Sequence, residues 1–307
     1  MDETDIAIIN TLLINSRTTY RDIAEKVELT VPTVYKRVQS LIDEGIIKKF
    51  TTKLSIGYLG AVQIHFIGDG NIRDLKGLSD VFSEDDNTSV LHVGSNDYLH
   101  VGGLLHDLSE LDSYTNYIKE KTGMNVEHLG IMSQSEYYKY RSKGKNKNAK
   151  KNVNLSKTDK KVIASLYGDS RKPISDIAEE VGLSAKTVKN SINKLLDKNV
   201  VEFSIDWNPS YSGDIVPFIH IYIKEGVDKL EVYRKLENDY SGNLIFNFMF
   251  HNISSLIVST GWVKSLGELE SLKDKLEGEK EIEKIVPNLI YSGHHLKTWR
   301  DNQMEDI

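Results

Sequence analysis

Apolar positions in the first fifty residues recur at helical spacing. Ile6, Ile9 and Leu13 form one stripe, with Thr4 where a helix cap is expected. Ile23, Ala24 and Val27 face one way over a short second helix at about Tyr20–Lys26. Val34, Val38, Leu41 and Ile42 mark a third helix, with Thr30 as its N-cap. Gly45 supplies a left-handed stop, and Ile46-Ile47 begin an extended segment, the expected wing. Two short helices, a tight turn and a third helix make the helix-turn-helix plan, in which the last helix enters the major groove.

The same pattern returns 154 residues later without a gap. Thr4-Asp5, Ser16-Arg17, Asp22-Ile23-Ala24-Glu25 and Thr33-Val34 match Thr158-Asp159, Ser170-Arg171, Asp176-Ile177-Ala178-Glu179 and Thr187-Val188. Of the 44 positions from Thr4 to Ile47, 16 are identical, far more than chance supplies, so the two segments share one fold. Asn199 takes the place of Gly45, and asparagine is the next-best residue for a left-handed cap.

After the first copy the period changes to that of strands and amphipathic helices. Ala61–Ile67 is a strand candidate, Ile72–Phe82 a helix, and Thr88–Val93 and Tyr98–Leu105 are strands around the turn Gly94-Ser95-Asn96-Asp97. Leu108–Lys121 is a helix and Asn125–Met132 a last strand, giving βαββαβ. The second half repeats the order with Ile215–Ile223, Leu230–Leu236, Leu244–Phe250, Ser254–Ser259, Leu266–Leu276 and Ile282–Ile290. The expected fold class is α+β: two winged helix-turn-helix domains alternating with two ferredoxin-like βαββαβ domains. The expected boundaries are 1–58, 59–138, a linker at 139–155, 156–210 and 211–307. The repeated halves predict a pseudo-dimer whose two sheets pack face to face, within one chain or between two, with Val62, Ile64, Ile219 and Ile221 buried.

Charge refines the picture. The net charge is −6, yet residues 1–55 and 158–207 are each neutral, 56–138 carry −9, 208–307 carry −5, and 139–157 carry +8. The acidity therefore lies outside the helix-turn-helix segments, which leaves double-stranded DNA open as a partner. The stretch Lys139–Asn154 has almost no apolar residue and no acid, so it reads as a solvated linker able to touch phosphates non-specifically. There is no cysteine, which removes disulfides, thiolate metal sites and cysteine nucleophiles. The N-terminus lacks the basic region of a signal peptide and no apolar run approaches the ~20 residues of a membrane span, so a cytoplasmic protein without a membrane partner is expected.

The third helix of the first copy presents Thr33, Tyr35, Lys36 and Arg37 away from its apolar stripe, and the second copy presents Lys186, Thr187, Lys189 and Asn190. Hydroxyls, amides and cations suit phosphate oxygens and base edges, and these residues, with Arg21 of the second helix, are the expected DNA contacts. The competing account is a three-helix core whose outer face is merely solvated or meets another protein. The second copy replaces Arg37 by Ser191. Loss of that fork predicts that the first copy supplies sequence discrimination and the second only weakly selective contacts.

The first ~135 residues resemble the Lrp/AsnC family of bacterial and archaeal regulators. The resemblance lies in Asp5, Ile9, Ser16-Arg17, Ile23-Ala24, Val27, Leu29, Thr33-Val34, Arg37, Leu41 and Gly45-Ile46-Ile47, and continues in Gly94, Asp97, Tyr98-Leu99 and Val101. It implies that the helix-turn-helix binds DNA, and that the βαββαβ domain self-associates and binds a small-molecule effector such as an amino acid. Gly94, Asp97 and Tyr98 are the effector residues it suggests. Ordinary members carry one such unit and this chain carries two. The second half also lacks the Gly-x-x-Asp turn, reading Phe250-His251-Asn252-Ile253.

No phosphate-binding loop, nucleophile elbow or zinc-protease motif is present, so no enzyme activity, cofactor or metal is expected. The adjacent His294-His295 diverge in direction. His65 and His220 take corresponding places in the first strand of each βαββαβ half, on the face opposite Ile64 and Phe66, or as a pair where the sheets stack. The enzyme alternative is a tetrapyrrole pocket, because siroheme decarboxylases resemble Lrp/AsnC proteins in fold and pair two related subunits. Their His-Asn-Tyr segment followed by an arginine is missing: His251-Asn252 runs into Ile253.

Overall fold

The computed structural model describes residues 1–70, 75–132, 153–305 and 307. They form two compact units. One holds both helix-turn-helix copies and the C-terminal helix; the other holds the strands and helices of 61–132 and 213–298. Most of the expected basic linker, 139–152, lies outside the described residues, as do residues 71–74 at the start of the expected helix Ile72–Phe82.

In the first unit the helices are α1 Glu3–Ile14, α2 Tyr20–Lys26, α3 Val31–Asp43 and the single turn α4 Ile56–Leu59, and in the second copy α7 Lys157–Leu166, α8 Ile174–Val181 and α9 Ala185–Asp197. Asp2, not Thr4, caps α1, through a reciprocal capping box with Asp5; Ser156 and Asp159 repeat the device at α7. Thr30 and Ser184 cap the third helices. Gly45 and Asn199 end them with φ of 76° and 48°, the left-handed stops that the sequence predicts. Ile6, Ile9, Leu12, Ile23, Val34 and Val38 fill one core, and Val162, Ile163, Leu166, Ile177, Val188 and Leu195 the other. Each such side chain contributes about 1.5–3 kcal/mol on burial.

The extended segments after the two third helices, β1 Ile47–Leu54 and β6 Val201–Trp207, pair antiparallel with each other. The registers Phe50↔Ile205 and Thr51↔Ser204 exchange under the 154-residue offset, so the two copies are related by a local two-fold. The helix α12, Trp299–Glu305, also belongs to this unit. Arg300 donates from Nε to the Leu54 carbonyl at 2.6 Å and pairs with Glu202 at 2.8 Å. Residues 211–307, expected as one βαββαβ domain, are therefore divided, because the last helix finds its apolar partner elsewhere: Met304 is buried in the second helix-turn-helix core.

The second unit contains β2 Val62–Asp69, α5 Leu75–Ser83, β3 Thr88–Gly94, β4 Tyr98–Leu105, α6 Leu111–Thr122 and β5 Asn125–Ile131. Its second half contains β7 Pro217–Ile223, α10 Lys229–Asp239, β8 Leu244–Met249, β9 Leu256–Gly261, α11 Leu266–Glu277 and β10 Ile282–His295. The halves join edge to edge in one antiparallel sheet, ordered β5-β2-β4-β3-β10-β7-β9-β8. The join is β10, which runs to His295, five residues beyond the expected end, and pairs from Ile290↔Gly94 to His295↔Val90. An isolated bridge, Met132↔Phe250, links the other two ends, so the sheet curls and its inner faces also meet. Ile64 and Phe66 pack with Phe82, Tyr114 and Ile118 on the helix side.

The inner face carries histidines among aromatics. His65 Nδ1 and His100 Nε2 share a hydrogen bond of 2.7 Å, and His92 stacks on His100 with ring centroids 5.4 Å apart. Phe218 and Phe248 of the second half close over them. His220 does not meet His65 in a pair; its Nε2 bonds the Tyr98 hydroxyl at 3.0 Å. Burial pushes His65 down to about 4 and His92 to about 3, with the neighbouring imidazoles His295, His65 and His294 adding to the latter.

Candidate nucleic-acid interface

On α3, Val34 and Val38 are buried and the opposite face is open. Tyr35 is exposed and meets Tyr20 of α2 edge-on at 5.5 Å. Lys36 is exposed, and Thr33 bonds the Thr30 hydroxyl at 2.8 Å at the helix start. On α9, Lys186, Thr187, Lys189 and Asn190 are all exposed, with Thr187 on Ser184 at 2.8 Å. Lys36, Lys186 and Lys189 have no ion pair among the described residues, so each points a free ammonium at solvent. Arg21 is exposed and spans to Glu25 at 3.5 Å, a loose pair one helical turn apart.

Arg37 departs from the expectation. Its Nη1 lies 2.9 Å from Asp2 and 2.8 Å from Asp5, so the guanidinium ties α3 to the capped start of α1. In the second copy the corresponding acid, Asp159, is buried and accepts from Ser191 Oγ at 2.8 Å and from Lys194 Nζ. Burial opposes its ionisation, yet Lys194 and the hydroxyls of Ser156 and Ser191 outweigh that and hold its carboxyl at about 2. The change from Arg37 to Ser191 therefore exchanges one clamp for another. It removes no free fork from the outer face, and it does not rank the copies as DNA readers.

A further pair of arginines, visible in the sequence only as part of the repeat, fixes the two copies together. Arg17 Nη1 donates to the carbonyls of Ser170 at 2.6 Å and Lys172 at 3.1 Å. Arg171 Nη1 donates in return to the carbonyls of Ser16 and Thr18. Ser16 and Ser170 hydroxyls meet at 2.5 Å on the local axis. The signal was the identical Ser-Arg pair in both copies.

The suggested effector residues do not converge on one polar pocket. Gly94 lies under β10, where a Cβ would come within 2.6 Å of the Leu289 carbonyl. Asp97 sits at φ 58° in the turn and is exposed, while Tyr98 is buried on His220. The second half docks its own turn differently. Asn252 bonds the backbone of Leu129 and Ile131 at 2.7 and 2.8 Å, and Phe250 covers Gly130.

This is the construction of a duplicated winged helix-turn-helix protein, with both copies of the DNA-binding fold and both βαββαβ halves in one chain. A family described as winged helix-turn-helix DNA-binding matches residues 1–48 and again 155–202. An HTH-type transcriptional regulator of Pyrococcus horikoshii is 46% identical over 61 residues, 19% of this chain and 41% of that protein. The HTH-type transcriptional regulator LrpA of Bacillus subtilis is 43% identical over 60 residues, 20% of this chain and 44% of that one. Each helix-turn-helix copy is thus similar to the DNA-binding segment of Lrp-type regulators, and the chain spans less than half the length of these relatives. Over nearly its whole length it is similar in fold to the siroheme decarboxylase NirDL, with TM-score 0.55, 12% identity, and coverage of 99% of this chain and 98% of that one. Among the described residues no helix is long and apolar enough to cross a membrane.

Proposed function

We propose that this protein is a sequence-specific DNA-binding transcriptional regulator. The observation that carries the reading is the open, cation-bearing face of two helices whose opposite faces are buried: Tyr35 and Lys36 on α3, and Lys186, Lys189 and Asn190 on α9. In this reading the ammonium and amide groups meet base edges or phosphates, and Thr33 and Thr187 add hydroxyls near the helix starts. Arg21 exchanges its solvated partner Glu25 for a phosphate at little cost, since exposed pairs contribute about 0–1 kcal/mol. Arg37 holds the scaffold.

The finer part of the reading is control by a small molecule. Such an effector would act at the Gly94–Asp97 turn, because that turn lies where the two halves of the sheet join. The tetrapyrrole alternative rests on a likeness of fold, and Asn252, its one matching side chain besides His251, is engaged with backbone of the first half. A tetrapyrrole absorption band on the purified protein would favour that alternative.

The test is fluorescence anisotropy on a native promoter fragment at fixed salt. Lys36→Ala should weaken binding by about 1–3 kcal/mol if the side chain meets a base, or lower the salt slope by about one unit if it meets a phosphate. Wild-type affinity and an unchanged slope for the double variant Lys36→Ala, Lys189→Ala would overturn the reading.

A further inference from the structure

We infer that one chain alone occupies one DNA site, and that the two half-sites of this site differ in sequence. The inference rests on the DNA-binding reading above. Its first ground is the two-fold built into the unit that holds both reader helices. The β1–β6 register, the Ser16–Ser170 contact and the reciprocal Arg17 and Arg171 hydrogen bonds all exchange under the same 154-residue offset. Two-fold-related reader helices address half-sites spaced by about one helical turn, 10–10.5 base pairs, or its multiples. Here both readers come from one polypeptide, so no second chain is needed to complete the pair.

The second ground is that the symmetry stops at the outer face. Equivalent exposed positions carry Pro32 and Lys186, Tyr35 and Lys189, and Lys36 and Asn190. The scaffold beneath does not force these differences: both third helices keep a buried valine, Val34 and Val188, and a hydroxyl cap. The last pair differs in what it can read. A lysine ammonium is a donor only and suits the O6 and N7 acceptors of guanine; an asparagine amide is donor and acceptor and suits N6 and N7 of adenine. The first half-site is thus assigned a guanine opposite Lys36, and the second an adenine opposite Asn190. Lys186 and Lys189 raise the phosphate attraction of the second half.

The experiment is selection from a random duplex pool with the full chain, followed by native mass spectrometry of the chain with its selected duplex. The expected result is one chain per duplex and a motif of two unlike half-sites. Lys36→Asn should shift only the first half-site toward adenine, changing the preference at that base pair by about 5- to 150-fold, and Asn190→Lys should shift only the second toward guanine. Both side chains are exposed, so circular dichroism should show both variants folded as wild type. A palindromic motif, two chains per site, or swaps that leave both half-sites unchanged would overturn the inference while leaving DNA binding intact. Failure to enrich any duplex, with no salt-sensitive binding, would overturn both.

Discussion

Acid should unfold the sheet unit through its histidines. All nine histidines of the chain fall between residues 65 and 295, within the residues of that unit, and none in the helix-turn-helix copies. His65 and His100 are buried and His92 is half-buried, packed against Phe218, Phe248 and one another. One nitrogen on each, His65 Nε2, His92 Nδ1 and His100 Nδ1, is buried without a hydrogen-bond partner. A proton added to this stack would place a cation in an apolar interior beside other imidazoles, so burial holds all three below the ordinary value of 6.5. The unfolded chain binds these protons more readily than the folded one. Stability is therefore fully present above about pH 6.5 and is lost as pH falls toward 4 for His65 and 3 for His92.

For a single histidine lowered to about 4, the loss between pH 8 and pH 5 is about 2 kcal/mol, with a limiting slope of about 1.4 kcal/mol per pH unit. Two acting together double both the slope and the loss, to about 4 kcal/mol by pH 5, which is a large share of the roughly 5–15 kcal/mol that keeps a domain folded. The assay is urea unfolding at constant ionic strength from pH 8 to 5, followed by the fluorescence of Trp262, which is buried in the sheet unit, after Trp207 and Trp299 are changed to Phe. His92→Phe should reduce the slope by about one proton. A flat profile down to pH 5, or folded-state imidazoles titrating near 6.5 by NMR, would refute the reasoning.

Two further outcomes follow from side chains whose roles the structure reassigns or reveals. Arg37→Ala should cost the first helix-turn-helix about 1 kcal/mol in denaturant unfolding, as a half-exposed pair does, while the ratio of specific to non-specific DNA affinity stays at the wild-type value; a selective loss of specific binding would return Arg37 to the interface. Gly130→Val should destabilise the sheet unit by at least about 1–3 kcal/mol, because a Cβ there would lie 2.3 Å from the Phe250 ring, and the measurement is the shift in thermal midpoint.

Much of the fold was legible because the sequence carries local signals for it. The caps Thr30 and Ser184, the left-handed stops Gly45 and Asn199 and the Val34–Val38 stripe act within a few residues of one another. What was not legible depends on partners distant in the chain. Nothing local says that Ile47–Leu54 pairs with Val201–Trp207, or that Tyr291–His295 extends β10 onto β3. The histidine stack was hidden for the same reason. His65 was visible as a polar residue on the inner face, but His92 and His100 join it only once β3 and β4 are placed in register, with His92 opposite His100.

The candidate interface shows how composition alone misplaces function. Arg37 looked like a reader because a guanidinium on a third helix fits both guanine and phosphate, and its loss at Ser191 looked like decay of the second copy. The structure supplies the missing constraint, an acid at the start of the preceding helix in each copy. Asp5 is met by Arg37, and Asp159 by Ser191 together with Lys194, which comes from one turn further along α9. A serine at position 191 would leave a buried carboxylate undercompensated if Lys194 were not there, so the two differences belong together. Ser40, the counterpart of Lys194 in the first copy, has no such duty and bonds Glu44 instead. Once these coupled changes are assigned to the scaffold, the differences that remain on the third helices are concentrated on exposed positions 32, 35, 36 and 39 and their counterparts 186, 189, 190 and 193. On the outer face Pro32 and Tyr35 give way to Lys186 and Lys189, and Lys36 to Asn190, whereas the apolar stripe changes only from Val38 to Ile192 and from Ile42 to Leu196; a change of chemistry at exposed positions above a preserved apolar stripe is what unequal half-sites would produce.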